Sequence, residues 1–519
     1  MRKNKKTRRI KKMFTRSSGV LMSVSSLPGD FGIGDFSEYA ERFAKDIFDM
    51  GFHRWQILPL NPVGVHNSPY DSFSAHAGNF LYIDPYGLVA DGFLERRDVL
   101  PYIHNGQPYT VEYAGVKFNK RQILKRAFEL NAEKIPKIIE DFERENAFWL
   151  EDYASYMALK SGFFDAPWSE WEDDIRFKRE PAYSKRLAEL SEYVLFFKFE
   201  QYLFWKQWRE LKARVNAIGV SIIGDSPIYV SYDSADVFHN PKNFLLDNDL
   251  RMKKVAGVPP DYFSETGQRW NNPLYDYKAM EKDGFSWFSA RFGRLLDIYD
   301  AVRIDHFRGF YSYFAIPSDS PTAAFGAWEK GPGEKLFKVI KKRFPNADII
   351  AEDLGIIDGG VREFLEKTGY PGMRVFQFGF GDGDSEHMPH NYVKNSVAYT
   401  GTHDNDTLLG WLYNLNENTR EYALRYCRFF GGDWGKGGKD GGSLKAMIGV
   451  LMASVSSLAI VPVQDMFGFG GDTRMNTPGV AENNWLFRIP KDYLNQIDRA
   501  FFIEVNNVYH RNNIIMRSN

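Results

Sequence analysis

The sequence predicts an α/β protein built on a (β/α)8 barrel, with a large, mostly helical insertion after strand 2 and a long loop insertion after strand 3. Three observations carry this expectation. Eight short apolar runs, several rich in β-branched residues, recur along the 519 residues with helical or long segments between them. Three of those runs lead directly into acids, at Asp305, Glu352 and Asp404, and a parallel barrel gathers its chemistry at the C-terminal ends of its strands. Finally, no G-x-G-x-x-G follows a strand, which argues against a doubly wound dinucleotide-binding sheet.

Taken in order, residues 19–24 form the first strand candidate, followed by the loop Ser25-Ser26-Leu27-Pro28-Gly29-Asp30. Asp35 then caps an amphipathic helix to about Met50, with Phe36, Tyr39, Ala40, Phe43 and Ile47 on its inner face. Residues 53–58, ended by Pro59, are the second strand. From 84 to 210 the βα rhythm is lost. Helical periodicity at 113–130, 135–159 and 185–215 predicts an inserted helical subdomain whose last helix returns to the barrel. Strand 3 and its loop fill 221–230. Residues 231–287, rich in Pro, Gly, Asn and Asp, read as a loop-like cover over the cleft. Strands 4 to 8 fall at 301–306, 348–353, 372–378, 396–401 and 458–463. Residues 17–519 thus read as one catalytic barrel with two interruptions, the helical one at 84–210 and the cleft-covering one at 231–287.

Composition narrows the class. A net charge of −1, with 44% hydrophobic and 26% charged residues, describes a globular protein with no global bias toward nucleic acid or an anionic membrane. The single cysteine, Cys427, excludes an intramolecular disulfide or a thiolate metal cluster and fits a reducing, cytoplasmic location. No apolar run is long enough to span a membrane. The first sixteen residues carry nine basic side chains, but the stretch after them is too short and polar for a signal peptide. Residues 1–16 are therefore expected to be a disordered basic leader. We do not read it as a nucleic-acid arm, because nothing downstream extends the patch. The Gly-rich run 431–442 lacks the G-K-[S/T] ending of a P-loop. Asp247-Asn248-Asp249 lacks the glycine and closing glutamate of an EF-hand.

Residues two apart on a strand share a face, so Arg303 and Asp305 point the same way. A cation beside a carboxylate favours the ionised form that a covalent nucleophile needs. Two acids about 5–5.5 Å apart flanking a glycosidic bond make a retaining centre, one as nucleophile and one as acid/base. Asp305 suits the nucleophile. Glu352, raised by its like-charged neighbours, suits the proton donor. Asp404 suits hydrogen bonds to sugar hydroxyls that tighten toward the oxocarbenium ion, and His403 suits a further hydroxyl contact. Metal hydrolases also use barrel strand ends, but neither H-x-H nor H-E-x-x-H occurs among the ten histidines.

Arg303-Ile304-Asp305-His306-Phe307, Ala351-Glu352-Asp353-Leu354-Gly355 and Thr402-His403-Asp404-Asn405 resemble the three catalytic segments of the α-amylase superfamily. Longer blocks narrow the resemblance to the 4-α-glucanotransferases (amylomaltases or disproportionating enzymes, glycoside hydrolase family 77). These blocks include Gly224-Asp225-Ser226-Pro227-Ile228-Tyr229-Val230, Gly257-Val258-Pro259-Pro260-Asp261-Tyr262-Phe263 and Gly369-Tyr370-Pro371-Gly372-Met373. The similarity runs over about residues 17–488. It implies Asp305 as nucleophile, Glu352 as acid/base and Asp404 as transition-state stabiliser. It also implies sugar contacts from Tyr70, Asp225, Arg303, His403 and Asn476, and a flexible loop over the cleft that carries Gln268 and Trp270. Maltooligosaccharides, α-1,4-glucans and glucose are the implied partners, with no cofactor and no metal.

Three departures stand out. Asn271 replaces the glycine usual after Trp270, Asn483 replaces the first residue of a common Gly-Asn-Trp, and Ser23-Val24 replaces a His-Pro pair. None removes a catalytic group, so they bear on substrate length rather than on the reaction. A hydrolase using the same carboxylates and a non-catalytic glucan-binding protein are the rival readings.

Overall fold

The computed structural model describes residues 14–260, 265–355, 357–381 and 384–512. Eight parallel strands form the barrel: β1 (Ser17–Leu21), β2 (Arg54–Gln56), β3 (Ser221–Ser226), β6 (Ala301–Ile304), β9 (Ile349–Ala351), β10 (Gly372–Val375), β11 (Ser396–Tyr399) and β12 (Leu458–Pro462). Neighbours in chain order pair except β9 with β10, and β1 pairs with β12. The seam between β9 and β10 is bridged by the Ala351 N–H donating to the Pro371 carbonyl at 3.0 Å. Most of these strands are buried along their whole length, as expected for a parallel sheet covered by helices. They end a few residues earlier than their apolar patterns suggest, because the polar residues that follow turn into the mouth.

The leader expectation needs a correction at its end. Phe14 is buried, and the Arg16 guanidinium donates to the carbonyls of Tyr509, Ser454 and Met452. Residues 14–16 therefore belong to the fold, and residues 1–13 lie outside the described residues. The first helix spans Glu38–Asp49, not 35–50. Asp35 does not cap it, because its carboxylate accepts from Lys120 Nζ at 2.8 Å in a pair that is 1% exposed on both sides. That pair ties the first loop to the helical insertion.

Eight helices fill the segment between Pro85 and Ile218. The run expected as one helix over 135–159 is two, Ile135–Glu145 and Leu150–Gly162. Asn146 separates them: its amide donates to the Phe142 carbonyl, and its oxygen accepts from the Trp149 indole. The last helix, Ser191–Ile218, ends on Gly219 at φ +104° and delivers the chain to β3.

The segment expected to be a loop-like cover is instead half of a second sheet. β4 (Lys254–Val258) and β5 (Gln268–Pro273) join β7 (Ser312–Pro317) and β8 (Ala327–Lys330) in the antiparallel order β5-β4-β7-β8. This cover sheet has its own small core of Val255, Phe314, Ile316 and Ala323. Among the described residues, no helix is long and apolar enough to cross a membrane.

Candidate active site

The site is assembled from strand ends. Asp225 on β3 and Arg303 on β6 are register partners, so their side chains meet between adjacent strands. Arg303 is the hub. Its Nη1 donates to Asp225 Oδ2 at 2.6 Å and its Nη2 to Asp305 Oδ1 at 2.9 Å, while its Nε points to Met373 Sδ at 3.4 Å. The Tyr70 hydroxyl donates to the same Asp225 oxygen at 2.8 Å. Asp225 and Arg303 are buried, whereas Asp305 reaches into the cleft with its side chain 29% exposed.

One guanidinium shared between two carboxylates has a consequence for Asp305. Burial pushes its pKa up, Arg303 pulls it down, and Asp225 and Asp404 push it up again, leaving a net upward shift. Arg303 thus moderates the cost of burying Asp305 rather than depressing its pKa below the usual range.

Glu352 follows β9 and is held by the backbone. Its Oε2 accepts the His306 N–H and its Oε1 the Leu354 N–H, each at 2.6 Å. His306 directly follows Asp305 and sits at φ +47°, in the left-handed region that residues other than glycine occupy uncommonly. That conformation turns its N–H onto Glu352, so one kink couples the two acids' positions. Glu352 is pushed up to about 8, by burial first and by the Asp305 charge second, against the opposing pull of Arg303. Like-charged neighbours alone are therefore the smaller part of the cause. The adjacent Asp353 is structural. It accepts the Met373 N–H at 2.6 Å and pairs with Arg374 at 3.4 Å, and Gly372 leaves it room, since a Cβ there would lie 2.2 Å from its Oδ2.

Asp404 has a third environment. Burial would raise its pKa, but His403 at 3.3 Å and the Asn476 amide at 2.6 Å outweigh it and hold the carboxyl well below the usual range. His403 is raised in turn, because Asp404 more than offsets burial. The His403 ring stacks on Tyr70 at 5.0 Å and 15°, with Trp485 packed against both.

All ten residues singled out in the sequence converge on this mouth or its rim. Gln268 and Trp270 come in on β5, where the Trp270 indole donates to Gln268 Oε1 at 3.1 Å and meets His306 edge-on at 4.9 Å. Sequence reasoning missed Arg474, whose guanidinium donates to the Asp404 carbonyl at 2.5 Å and to the Asn476 carbonyl at 2.7 Å. An Arg two residues before Asn476 was the available signal. It also missed Trp485 and the His306 N–H, and a backbone dihedral leaves no trace in composition.

The two Asn-for-Gly departures have a structural explanation. Asn271 stands at φ +62° and Asn483 at φ +61°, both in the left-handed region that glycine enters freely and asparagine tolerates best among other residues. The chain keeps the glycine conformation while carrying a side chain. Ser23, in place of the His, lines a small cavity of about 20 Å³ beside His403 and Arg474, room for about one water molecule.

A parallel barrel whose C-terminal mouth gathers acids, a guanidinium hub and stacked aromatics defines a barrel enzyme acting on a polar, ring-shaped substrate. Residues 22–494 match the family model for 4-alpha-glucanotransferase, and the chain belongs to that family. It is 40% identical to the 4-alpha-glucanotransferase of Aquifex aeolicus, over 96% of this chain and 99% of that protein. Identity to the Thermus thermophilus 4-alpha-glucanotransferase is 43%, over 91% of this chain and 95% of that one. The solved structure of the Streptococcus agalactiae amylomaltase in complex with acarbose superposes with a TM-score of 0.91 at 39% identity, covering 96% of this chain and all of that one.

Proposed function

We propose that the protein transfers α-1,4-glucan segments between maltooligosaccharides, or onto glucose, by retaining double displacement. Asp305 attacks the anomeric carbon while Glu352 protonates the leaving glycosidic oxygen, giving a β-linked glucosyl-enzyme. Glu352, now a carboxylate, takes the proton from the 4-hydroxyl of an incoming sugar, which displaces Asp305 and remakes the α-1,4 bond. Atoms and charge balance with these two carboxyls alone, so the scheme calls for no cofactor. Asp404, the most strongly ionised of the three acids, accepts sugar hydroxyls as the ring flattens, with Tyr70, Asp225, Arg303, His403 and Asn476 as further contacts. Gln268 and Trp270 act from the cover, where excluding water favours a sugar acceptor over hydrolysis.

The observation that carries this reading is the contrast in environment between Glu352, pushed up to about 8, and Asp404, pulled down within the same mouth. Glu352 is thereby favoured as the protonated donor and Asp404 as an ionised acceptor of sugar hydroxyls, while Asp305 has the Arg303 guanidinium at 2.9 Å to stabilise its carboxylate. A single buried cysteine, Cys427, supports a reducing cytoplasmic location.

Incubating the protein with maltotriose beside an Asp305→Asn variant tests the reading. Glucose plus a ladder of longer maltooligosaccharides, lost in the variant, is expected. A net gain of reducing ends without a ladder would make it a hydrolase, and no product at all would leave the non-catalytic alternative.

A further inference from the structure

Trp328 stands on β8, the edge strand of the cover sheet, and is 40% exposed. Its register partner on β7 is Phe314, whose ring meets it at 5.2 Å and 65°. The Arg308 guanidinium lies over one face of the indole at 3.8 Å, so the exposure belongs mainly to the opposite face. Phe325, in the turn just before β8, is 73% exposed. Isolated exposed aromatics are common and need no explanation. This one differs in being clamped: a cation on one face and a ring at its side fix the indole in place, so little side-chain freedom is lost when something packs on its open face.

Arg308 also relates this platform to the reaction centre. It lies three residues beyond Asp305 in the turn Phe307–Phe310 and donates to Ser312 Oγ at 3.1 Å at the start of β7, and the two residues before it are bonded to Glu352: the His306 N–H donates to Glu352 Oε2 at 2.6 Å and the Phe307 N–H to the Glu352 carbonyl at 3.0 Å. The platform is thus on the Glu352 side of the site. Glu352 is the proposed proton donor to the leaving oxygen, so the part of a glucan chain that departs, and later the acceptor that replaces it, runs out on this side. The C–H-bearing face of a glucose ring packs on an open aromatic face, and its hydroxyls remain solvated at the rim.

We propose that Trp328, backed by Arg308, is a binding platform for sugar units of an α-1,4-glucan beyond the one Glu352 protonates, and that it sets a preference for long chains. The proposal rests on the function proposed above. Trp328 then contributes to long glucans and not to short ones, a dependence that a merely structural tryptophan would not produce.

The test is calorimetric binding of maltoheptaose and of maltose to the inactive Asp305→Asn protein, with and without a second change at Trp328. Trp328→Leu, which keeps apolar bulk but removes the flat ring, is expected to weaken maltoheptaose about ten-fold and maltose less than about two-fold. Trp328→Phe is expected to retain most of the maltoheptaose affinity. Equal losses at both lengths, no loss at either, or a Phe variant as weak as the Leu variant would overturn the platform. Turnover of maltotriose by the wild type, run alongside, judges the transferase reading separately, because the binding comparison needs no turnover.

Discussion

The barrel mouth and the cover sheet are built on opposite principles. In the mouth, Asp225, Arg303, Asp305, Glu352, His403 and Asp404 are within a few residues of a strand end, and parallel register delivers the central ones: Asp225 opposite Arg303, Ile304 opposite Ala351, then Asp305 and Glu352 one step further on. In the cover, β4 and β7 meet through pairs such as Val255 with Ile316 and Gly257 with Phe314, across a long intervening chain. The mouth holds buried charge, while the cover supplies rings and amides on strands that carry a bulge and one left-handed residue, Asn271. The comparison teaches a division of labour. On the function proposed above, the mouth fixes what reaction occurs, and the cover fixes which chains and how much water take part.

The largest expected effect comes from breaking the mouth. Asp305→Asn should lower turnover on maltotriose on the order of 10⁴-fold or more, with the fold intact by circular dichroism, since it removes the proposed nucleophile. Next comes the hub. Arg303→Ala leaves Asp225 buried without its cation, and removing one partner of a buried pair costs about 3–5 kcal/mol. Urea denaturation should show a loss of that size as well as lost activity. A change under about 1 kcal/mol would mean that water or Tyr70 substitutes for the guanidinium.

Breaking the cover should be gentler. Asn271→Ala forces an alanine to φ +62°, at about 1–2 kcal/mol of local strain, whereas Asn271→Gly relieves strain and only loosens the loop, at about 0.4–1 kcal/mol. The Ala variant should therefore be less stable than the Gly variant by thermal denaturation. The Gly variant should keep maltotriose turnover within about three-fold and release more free reducing ends per transfer event, because a looser cover admits water. If Gly damaged transfer as badly as Asp305→Asn does, the division between mouth and cover would fail.

The same division explains what could be read in advance. The barrel strands are local signals: each is a short apolar run ending in polar residues, and the three acids advertise themselves by following such runs. The second sheet was illegible because Gln268-Arg269-Trp270-Asn271-Asn272 has neither strand alternation nor strand composition, and becomes β by pairing with β4, which is held on its other side by the distant β7. The helix break at Asn146 and the non-capping Asp35 fail for a related reason. A side chain chose a tertiary partner over the local one its position suggested. His306 was visible as a residue, but its contribution is a dihedral that aims an N–H, and no residue type encodes that.

The central claim is that environment, and chiefly burial, keeps Glu352 protonated in the working range while its neighbours ionise. An acid required in protonated form loses activity as pH rises through its own pKa. The rate–pH profile of kcat/KM on maltotriose should therefore fall on the alkaline side near 8, while the acid limb reports Asp305, the acid that must ionise. In a Glu352→Gln variant the residual rate should show no alkaline limb at that pH. An alkaline limb near the ordinary carboxylate range, or one near 8 that persists in the Gln variant, would contradict the account.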